Sequence, residues 1–308
     1  MKLNKPKFWQ TNNSIYSIIL LPITFVLLVL IFLKKKITRK NIFNIPILCV
    51  GNIYVGGTGK TPLSILIANE LKIFGKKPVI IKKFYKKHED EHLLIKEKSE
   101  SIILRNRINA IKIAEKNYDL AIMDDGFQDY SIKKDFNILC FHSQQLIGNG
   151  FVFPSGPLRE NLNAIKNVQV IIINGEKKLN FEKKILKINK NIKIFYSKYL
   201  LLDIENLQNE KILAFAGIGN PENFFNLLIA CGLDVKKTLS FPDHYEFNEN
   251  ELLKIIQEAK KNNYKIVTTE KDFFRIKKYQ LKEIYCCKTK LEIFEKNELI
   301  SEIKRLYD

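Results

Sequence analysis

The longest hydrophobic stretch lies near the start of the chain, where residues 14–33 read SIYSIILLPITFVLLVLIFL without a charge. About twenty apolar residues is the length a helix needs to cross the hydrocarbon core of a bilayer. No small-residue cleavage site follows; the run instead meets Lys34, Lys35, Lys36, Arg39 and Lys40. The pattern predicts an N-terminal membrane helix that stays attached, with everything beyond its basic flank on the cytoplasmic side. Lys2, Lys5 and Lys7 on the other flank reduce that asymmetry. Pro22 lies inside the run and would bend it, so a helix or hairpin sunk in one leaflet is the second reading and a buried soluble helix the third.

Beyond residue 40, short apolar runs alternate with helix-like stretches, the pattern of a mostly parallel sheet covered by helices. The expected class is α/β. Strands are predicted at 45–50, 78–82, 120–123, 137–141 and 168–173, each bounded by turn or charged residues. A polar stretch rich in Lys and Asn, 175–191, and a further run to Leu202 lead into a second series, with strands at 212–216, 236–240, 265–268 and 283–287. Helices are expected between them at 223–230, with Pro221 near its start, and at 250–261. The predicted organisation is a membrane segment with its basic flank (1–40), a first lobe (41–205) and a smaller α/β lobe (206–308).

The 308 residues, 46% of them hydrophobic, can bury more than one core. The excess of 51 Lys and Arg over 33 Asp and Glu gives +18, which suits an anionic partner or only a well-solvated surface. Basic and aromatic clusters are not interleaved and no helix-turn-helix pattern occurs, so nucleic acid is not expected as a partner. Cys49, Cys140, Cys231, Cys286 and Cys287 form no CxxC pair. They are expected to be reduced and mostly in the core, with Cys286 and Cys287 on opposite faces of a strand.

The chemistry begins at ILCVGNIYVGGTGKTPLSILIANEL, a strand, a glycine-rich turn and an amphipathic helix starting near Thr61. That is the context a nucleotide phosphate loop requires. Gly56, Gly57, Thr58 and Gly59 would offer backbone amides to phosphates, Lys60 would neutralise the β- and γ-oxygens, and the Thr61 hydroxyl would hold magnesium. A strict phosphate-loop pattern would place glycine at Tyr54, so GGTGKT carries the signal. LAIMDDGFQ reads as an apolar strand ending in two acids, and Asp125 or Asp124 is the expected carboxylate beside that magnesium. Two acids at a strand end also serve as ordinary turn or helix caps.

In order, GNIYVGGTGKTP (51–62), DDGFQD (124–129), GNGFVFPSGPLRE (148–160), FAGIGNPENFF (215–225), PDHYEF (242–247) and TTEKD (268–272) resemble the motifs of the tetraacyldisaccharide 4'-kinases, the lipid A 4'-kinases of Gram-negative bacteria. The resemblance implies a P-loop domain joined to a smaller α/β domain, with ATP and Mg2+ as cofactors. It also implies a tetraacyl glucosamine disaccharide 1-phosphate as acceptor and work at the cytoplasmic face of the inner membrane, among phospholipids and without a protein partner. The family's GDE aspartate and DHH histidine, its proton-accepting pair, correspond to Asp90 in HEDEHLL and His244 in PDHYEF. The chain departs from the family here. RGY is represented by Lys83, Phe84 and Tyr85, the segment to GDE is shortened, the histidine after DDGxQ is Asp129, and the second histidine of DHH is Tyr245.

A carboxylate oriented by an imidazole can take the proton of a sugar hydroxyl as it attacks phosphorus, and a pair split between lobes would be complete only when they close. Arg159 can bind a phosphate bidentately, Gln128 completes the candidate acceptor-binding set, and Glu160 could reach the metal through water; Arg159 and Glu160 could equally form structural ion pairs. Gly217 and Gly219 in FAGIGNP could cradle a second phosphate or make a tight strand-to-helix turn. The competing function is a membrane-attached P-loop ATPase acting as a positioning or assembly switch. Such proteins usually carry an additional lysine early in the loop, where this chain has Tyr54, Val55 and Gly56.

Overall fold

The computed structural model describes residues 6–12 and 14–307, so Lys2 and Lys5 lie outside the described residues. The elements run α1 (Ile15–Ile19), α2 (Leu21–Ile37), β1 (Ile47–Gly51), α3 (Lys60–Ile73), β2 (Pro78–Lys83), α4 (Glu89–Lys98), β3 (Ser101–Leu104), α5 (Arg107–Ala114), β4 (Leu120–Asp124), β5 (Phe136–His142), β6 (Val170–Asn174), α6 (Leu179–Ile188) and β7 (Lys193–Leu201). There follow β8 (Lys211–Ala216), α7 (Pro221–Ala230), β9 (Asp234–Ser240), α8 (Glu249–Asn262), β10 (Lys265–Thr269), α9 (Glu270–Ile276), β11 (Ile284–Cys287), β12 (Thr289–Ile293) and α10 (Lys296–Lys304).

Every strand predicted from the pattern is present. The eight-stranded sheet has the order β12-β7-β6-β5-β1-β4-β2-β3 and the four-stranded sheet β11-β10-β8-β9. All pairings are parallel except β12 with β7. The middle strands β1, β4 and β6 are buried at every position, as strands covered on both faces must be. Alternation sorts their side chains: Ile47 and Cys49 of β1 join one core, Leu48 and Val50 the other. The small sheet likewise has one core on each face.

Two strands on the large sheet and its antiparallel edge escaped the pattern. β3 is short and half-buried, β7 alternates weakly, and β12 pairs antiparallel with β7. After β11 the chain leaves the small sheet, and Leu299, Ile300 and Ile303 of α10 pack in the core that holds Leu63 and Ile67 of α3. The stretch 206–308 therefore does not map onto the small sheet alone.

The N-terminal expectation is corrected. Residues 14–33 do not form one spanning helix; among the described residues no helix is long and apolar enough to cross a membrane. The run breaks at Leu20, and Pro22 lies in the first turn of α2, where its missing N–H costs nothing. α2 has 17 residues, about 25 Å at 1.5 Å each, and its last turn already holds Lys34, Lys35 and Lys36. It lies along the protein instead. Thr24 is buried and its Oγ1 donates to Ser155 Oγ at 2.7 Å, Asn149 Nδ2 donates to Ser17 Oγ at 3.0 Å, and Leu28 packs against the main core. The other face leaves Ile23, Phe25, Val26, Val29, Leu30, Phe32 and Leu33 exposed.

Candidate active site

β1 delivers the chain to the phosphate loop at the carboxyl edge of the large sheet. On either side of β1 the strand order runs in opposite directions, the place where open α/β sheets bind ligands. Gly51 is required there because a Cβ would come 2.5 Å from that of Phe127. Asn52 Nδ2 braces the loop by donating to Gly56 O at 3.1 Å and to Thr58 Oγ1 at 3.0 Å. Gly56 and Gly59 have φ of 131° and 90°, conformations that favour glycine. Tyr54, at the position of the absent glycine, bridges Leu158 and accepts from Gln10 Nε2 at 2.7 Å, so that half of the loop is held by the 148–160 segment. The helix α3 starts at Lys60, one residue before the expected Thr61.

Asp124 and Asp125, adjacent in sequence, separate in space. Parallel register sets Asp124 beside Val50, and its Oδ2 accepts from Thr61 Oγ1 at 2.8 Å. Ser64 Oγ lies 3.4 Å from its Oδ1. Asp125, at φ 52°, turns to Lys60 Nζ at 3.7 Å and Arg159 Nη1 at 3.0 Å. Burial pulls the Lys60 ammonium below its usual range, against the Asp125 charge that supports it. Burial raises the Asp125 carboxyl, but Lys60 and Arg159 outweigh it and hold the group low. The donors around Thr61 are hydroxyls and a carboxylate, the hard oxygen set that magnesium takes, and a Cβ at Gly57 would meet nothing within 4 Å. The residues therefore fit a magnesium nucleotide.

Glu160 stands apart from that set. It is buried, paired to Lys35 Nζ at 2.5 Å and hydrogen-bonded by Gln128 Nε2 at 3.2 Å. Gln128 also donates to Asn52 O at 2.9 Å and accepts from Arg159 Nη1 at 3.3 Å. Arg159 and Gln128 thus line the cavity as parts of one network, while Glu160 ties it to α2.

Asp90 and His244 come together across the lobes. Asp90 sits in the first turn of α4; His244, at φ 55°, donates its backbone N–H to Gly217 O at 3.0 Å. The Asp90 Oδ1 to His244 Nδ1 distance is 3.5 Å. Asp90 Oδ2 meets Arg275 Nη2 at 2.6 Å, and Arg275 Nη1 binds Asp272 Oδ1 at 2.5 Å and Gly217 O at 2.7 Å. Burial raises the Asp90 carboxyl, but the His244 hydrogen bond and the Arg275 charge prevail and hold it at about 2. With only 4% of its surface exposed, Asp90 does not line the cavity; His244 does. His88 stacks on the His244 ring at 4.4 Å between centroids.

One cavity of about 1060 Å³ runs from Gly56–Thr61 through Asp124, Asp125 and Arg159 to His88 and His244. Gly219 lines this cavity beside the phosphate loop. A Cβ there would stand 3.5 Å from Gly57 N, so the turn brings the small lobe into contact with the phosphate loop. Arg107, Lys82 and Arg275 were not recognisable as site residues from motif spacing, whereas Glu91 adjoins Asp90 in HEDEHLL and Lys271 of TTEKD is, on the motif, a candidate neighbour of the adenine or ribose with no contact assigned. Arg107 Nη2 donates to Asp125 O at 2.8 Å, and Lys271 Nζ pairs with Glu91 at 2.6 Å rather than lying free for nucleotide. For Lys82 the signal was available: a lysine closing the apolar run PVII must find a partner in the interior.

Similarity to known proteins agrees with this geometry. The family described as Tetraacyldisaccharide-1-P 4'-kinase matches residues 16–308. A tetraacyldisaccharide 4'-kinase from Pelagibacter ubique (strain HTCC1062) is 39% identical, with 99% of each chain covered. One from Rickettsia bellii (strain OSU 85-389) is 34% identical over 98% of each. Among solved structures, LpxK from Aquifex aeolicus in complex with ATP superposes with a TM-score of 0.72 at 21% identity, covering 95% of this chain and 99% of that one, which establishes the shared fold. With its phosphate loop and paired carboxylates in place on that fold, this chain belongs to the tetraacyldisaccharide 4'-kinase family and is an ATP-dependent kinase.

Proposed function

We propose that the chain transfers the γ-phosphoryl group of ATP to the 4'-hydroxyl of a tetraacyl glucosamine disaccharide 1-phosphate in lipid A biosynthesis, at the cytoplasmic face of a bacterial inner membrane. The observation that carries this reading is the single cavity joining the phosphate loop to the Asp90–His244 pair. The loop amides and Lys60 bind and neutralise the phosphates. Thr61 and Asp124 would hold magnesium, with Asp125 beside them; when bound, that ion neutralises charge on the phosphate oxygens during transfer. Asp125, paired with both Lys60 and Arg159, keeps these two cations aimed at one place.

The acceptor's proton reaches the pair at His244, the member on the cavity wall, through the imidazole nitrogen turned away from Asp90. Asp90 stands behind it, held charged by Arg275, and stabilises the imidazolium that forms. This order is the reverse of the sequence expectation, in which Asp90 itself meets the hydroxyl. The glycolipid is presented beside α2, whose exposed apolar face and following Lys34, Lys35, Lys36, Arg39 and Lys40 suit a helix lying in one leaflet against anionic headgroups. Incubation with γ-labelled ATP and the glycolipid tests the reading. Label is expected on the lipid; label released only as free phosphate would sink it and favour the ATPase switch.

A further inference from the structure

Lys82 is a lysine in the interior, 5% exposed, directly after the apolar run Pro78–Ile81 near the end of β2. Its ammonium lies 2.6 Å from Asp124 Oδ2, 3.3 Å from Thr61 Oγ1 and 2.6 Å from Glu91 Oε2. Glu91 continues the chain of contacts, its Oε1 meeting Lys271 Nζ of the small lobe at 2.6 Å. Charges alternate along this row from Asp124 through Lys82 and Glu91 to Lys271. It begins at the two groups that fit magnesium and ends on α9. Two carboxylates within 2.6 Å of the ammonium offset the cost of burying its charge.

We propose that Lys82 is a positioning residue of the phosphate site, a built-in cation that shares Asp124 and Thr61 with the magnesium ion and lessens the dependence of nucleotide binding on that ion. This rests on the assignment of Thr61 and Asp124 to magnesium. The argument is one of charge. Asp124 at the end of β4 faces the place where phosphates lie, and an uncompensated carboxylate there repels them; the ammonium at 2.6 Å cancels that field. ATP arriving without metal meets a site already neutralised at Asp124. ATP arriving with magnesium brings a cation of its own to the same carboxylate and needs Lys82 less. Two other roles fit less well. A second metal at His88, Glu91 and His244, whose ligand atoms lie within 4.8 Å of one another, is opposed by Lys82 and Lys271, both already on Glu91. A purely mechanical tie for α4 leaves the Thr61 and Asp124 contacts unused.

The test compares ATP dissociation constants with excess magnesium and with a chelator, in the full chain, by calorimetry or a fluorescent ATP analogue. In Lys82→Met the affinity for metal-free ATP should fall at least tenfold more than the affinity for magnesium ATP, so the ratio of the two constants rises tenfold or more. Lys82→Arg keeps the charge and should stay near the wild-type ratio. Since Lys82→Met takes the cation from buried Asp124 and leaves Glu91 with Lys271 alone, and so can fail to fold, Lys82→Met/Glu91→Gln is measured beside it. The ratio should rise there too, by less, because one negative charge has left with the positive one. Equal loss of both affinities, with the ratio within twofold of wild type in whichever of these two variants folds, would reduce Lys82 to a packing role. A tenfold rise in Lys82→Arg would equally overturn the charge argument. Failure of the phosphate-site assignment itself reads differently: magnesium would then not strengthen ATP binding even in the wild type.

Discussion

The two ends of the active-site cavity are built in different ways. At the phosphate end, Gly56 to Thr61 follow one another along the chain, and their conformation is set by glycine geometry, one asparagine brace and the start of α3. At the acceptor end, Asp90, His244, Arg275 and Asp272 come from three separate segments and are held by charge across the lobe interface. A local site of the first kind tolerates drift elsewhere in the sequence, which is how Tyr54 can replace a glycine when Leu158 and Gln10 hold it. A site of the second kind is only as good as the packing of α4 against α9 and the 242–245 loop.

The largest effect should come from the phosphate end. Lys60→Ala removes the charge nearest the transferring group, and turnover should fall by about three orders of magnitude or more in single-turnover assays. Retention of even a tenth of the activity would place the transferred phosphoryl elsewhere.

The acceptor end should respond as a unit. Asp90→Asn and His244→Ala should each lower kcat by roughly 10²–10⁴-fold, the usual range for proton transfer. The double variant should be barely slower, because groups acting together are lost together. ATP affinity should stay near wild type in all three. Multiplying effects in the double would dissolve the pair, and an essential Glu89 or Glu91 beside a dispensable Asp90 would shift the loop register.

A third change breaks the same end through stability. Arg275→Met leaves Asp90 and Asp272 buried without their cation and should cost about 3–5 kcal/mol in denaturant unfolding. The pH dependence has a definite sign. Asp90 is held at about 2, below its ordinary 3.8, so its contribution is present above pH 4 and lost as pH falls toward 2. Without Arg275 the folded-state Asp90 carboxyl rises toward its ordinary value, so this acid-dependent part of the stability should shrink; an acid limb unchanged from wild type would show that the pairing does not hold the carboxyl.

The smallest effect concerns neither end but the surface beside them. Phe25→Asp with Leu30→Asp places charges on the exposed face of α2, where each large apolar side chain sunk in lipid contributes about 1.5–3 kcal/mol. Recovery on anionic vesicles should drop about tenfold or more while ATP binding persists. Undiminished recovery would remove α2 from the membrane surface.

Much of this was legible along the chain. Nine strands, the α/β class and the phosphate loop follow from short-range pattern, because strand periodicity and a glycine-rich turn before a helix are properties of consecutive residues. The family motifs also marked Asp90 and His244. What the pattern could not carry was every decision made by residues far apart. The apolar run at 14–33 has the length of a membrane span, yet packing of Ser17, Thr24 and Leu28 on the protein lays it on the surface. Asp124 and Asp125 are neighbours in sequence, but parallel register aims one at Thr61 and a left-handed turn aims the other at Lys60.

The amino-acid sequence by itself therefore determined the fold class, the family and the phosphate end of the site. Only the tertiary structure decided that Asp90 lies behind His244, that Lys82 reaches Thr61 and Asp124 and that β12 returns to the large sheet. The physical reason is range: Arg275 and Asp90 are 185 positions apart, and Lys271 and Glu91 180, so no local propensity brings them together. They meet because α4 and α9 pack against each other, and once they are buried there each charge must find its opposite.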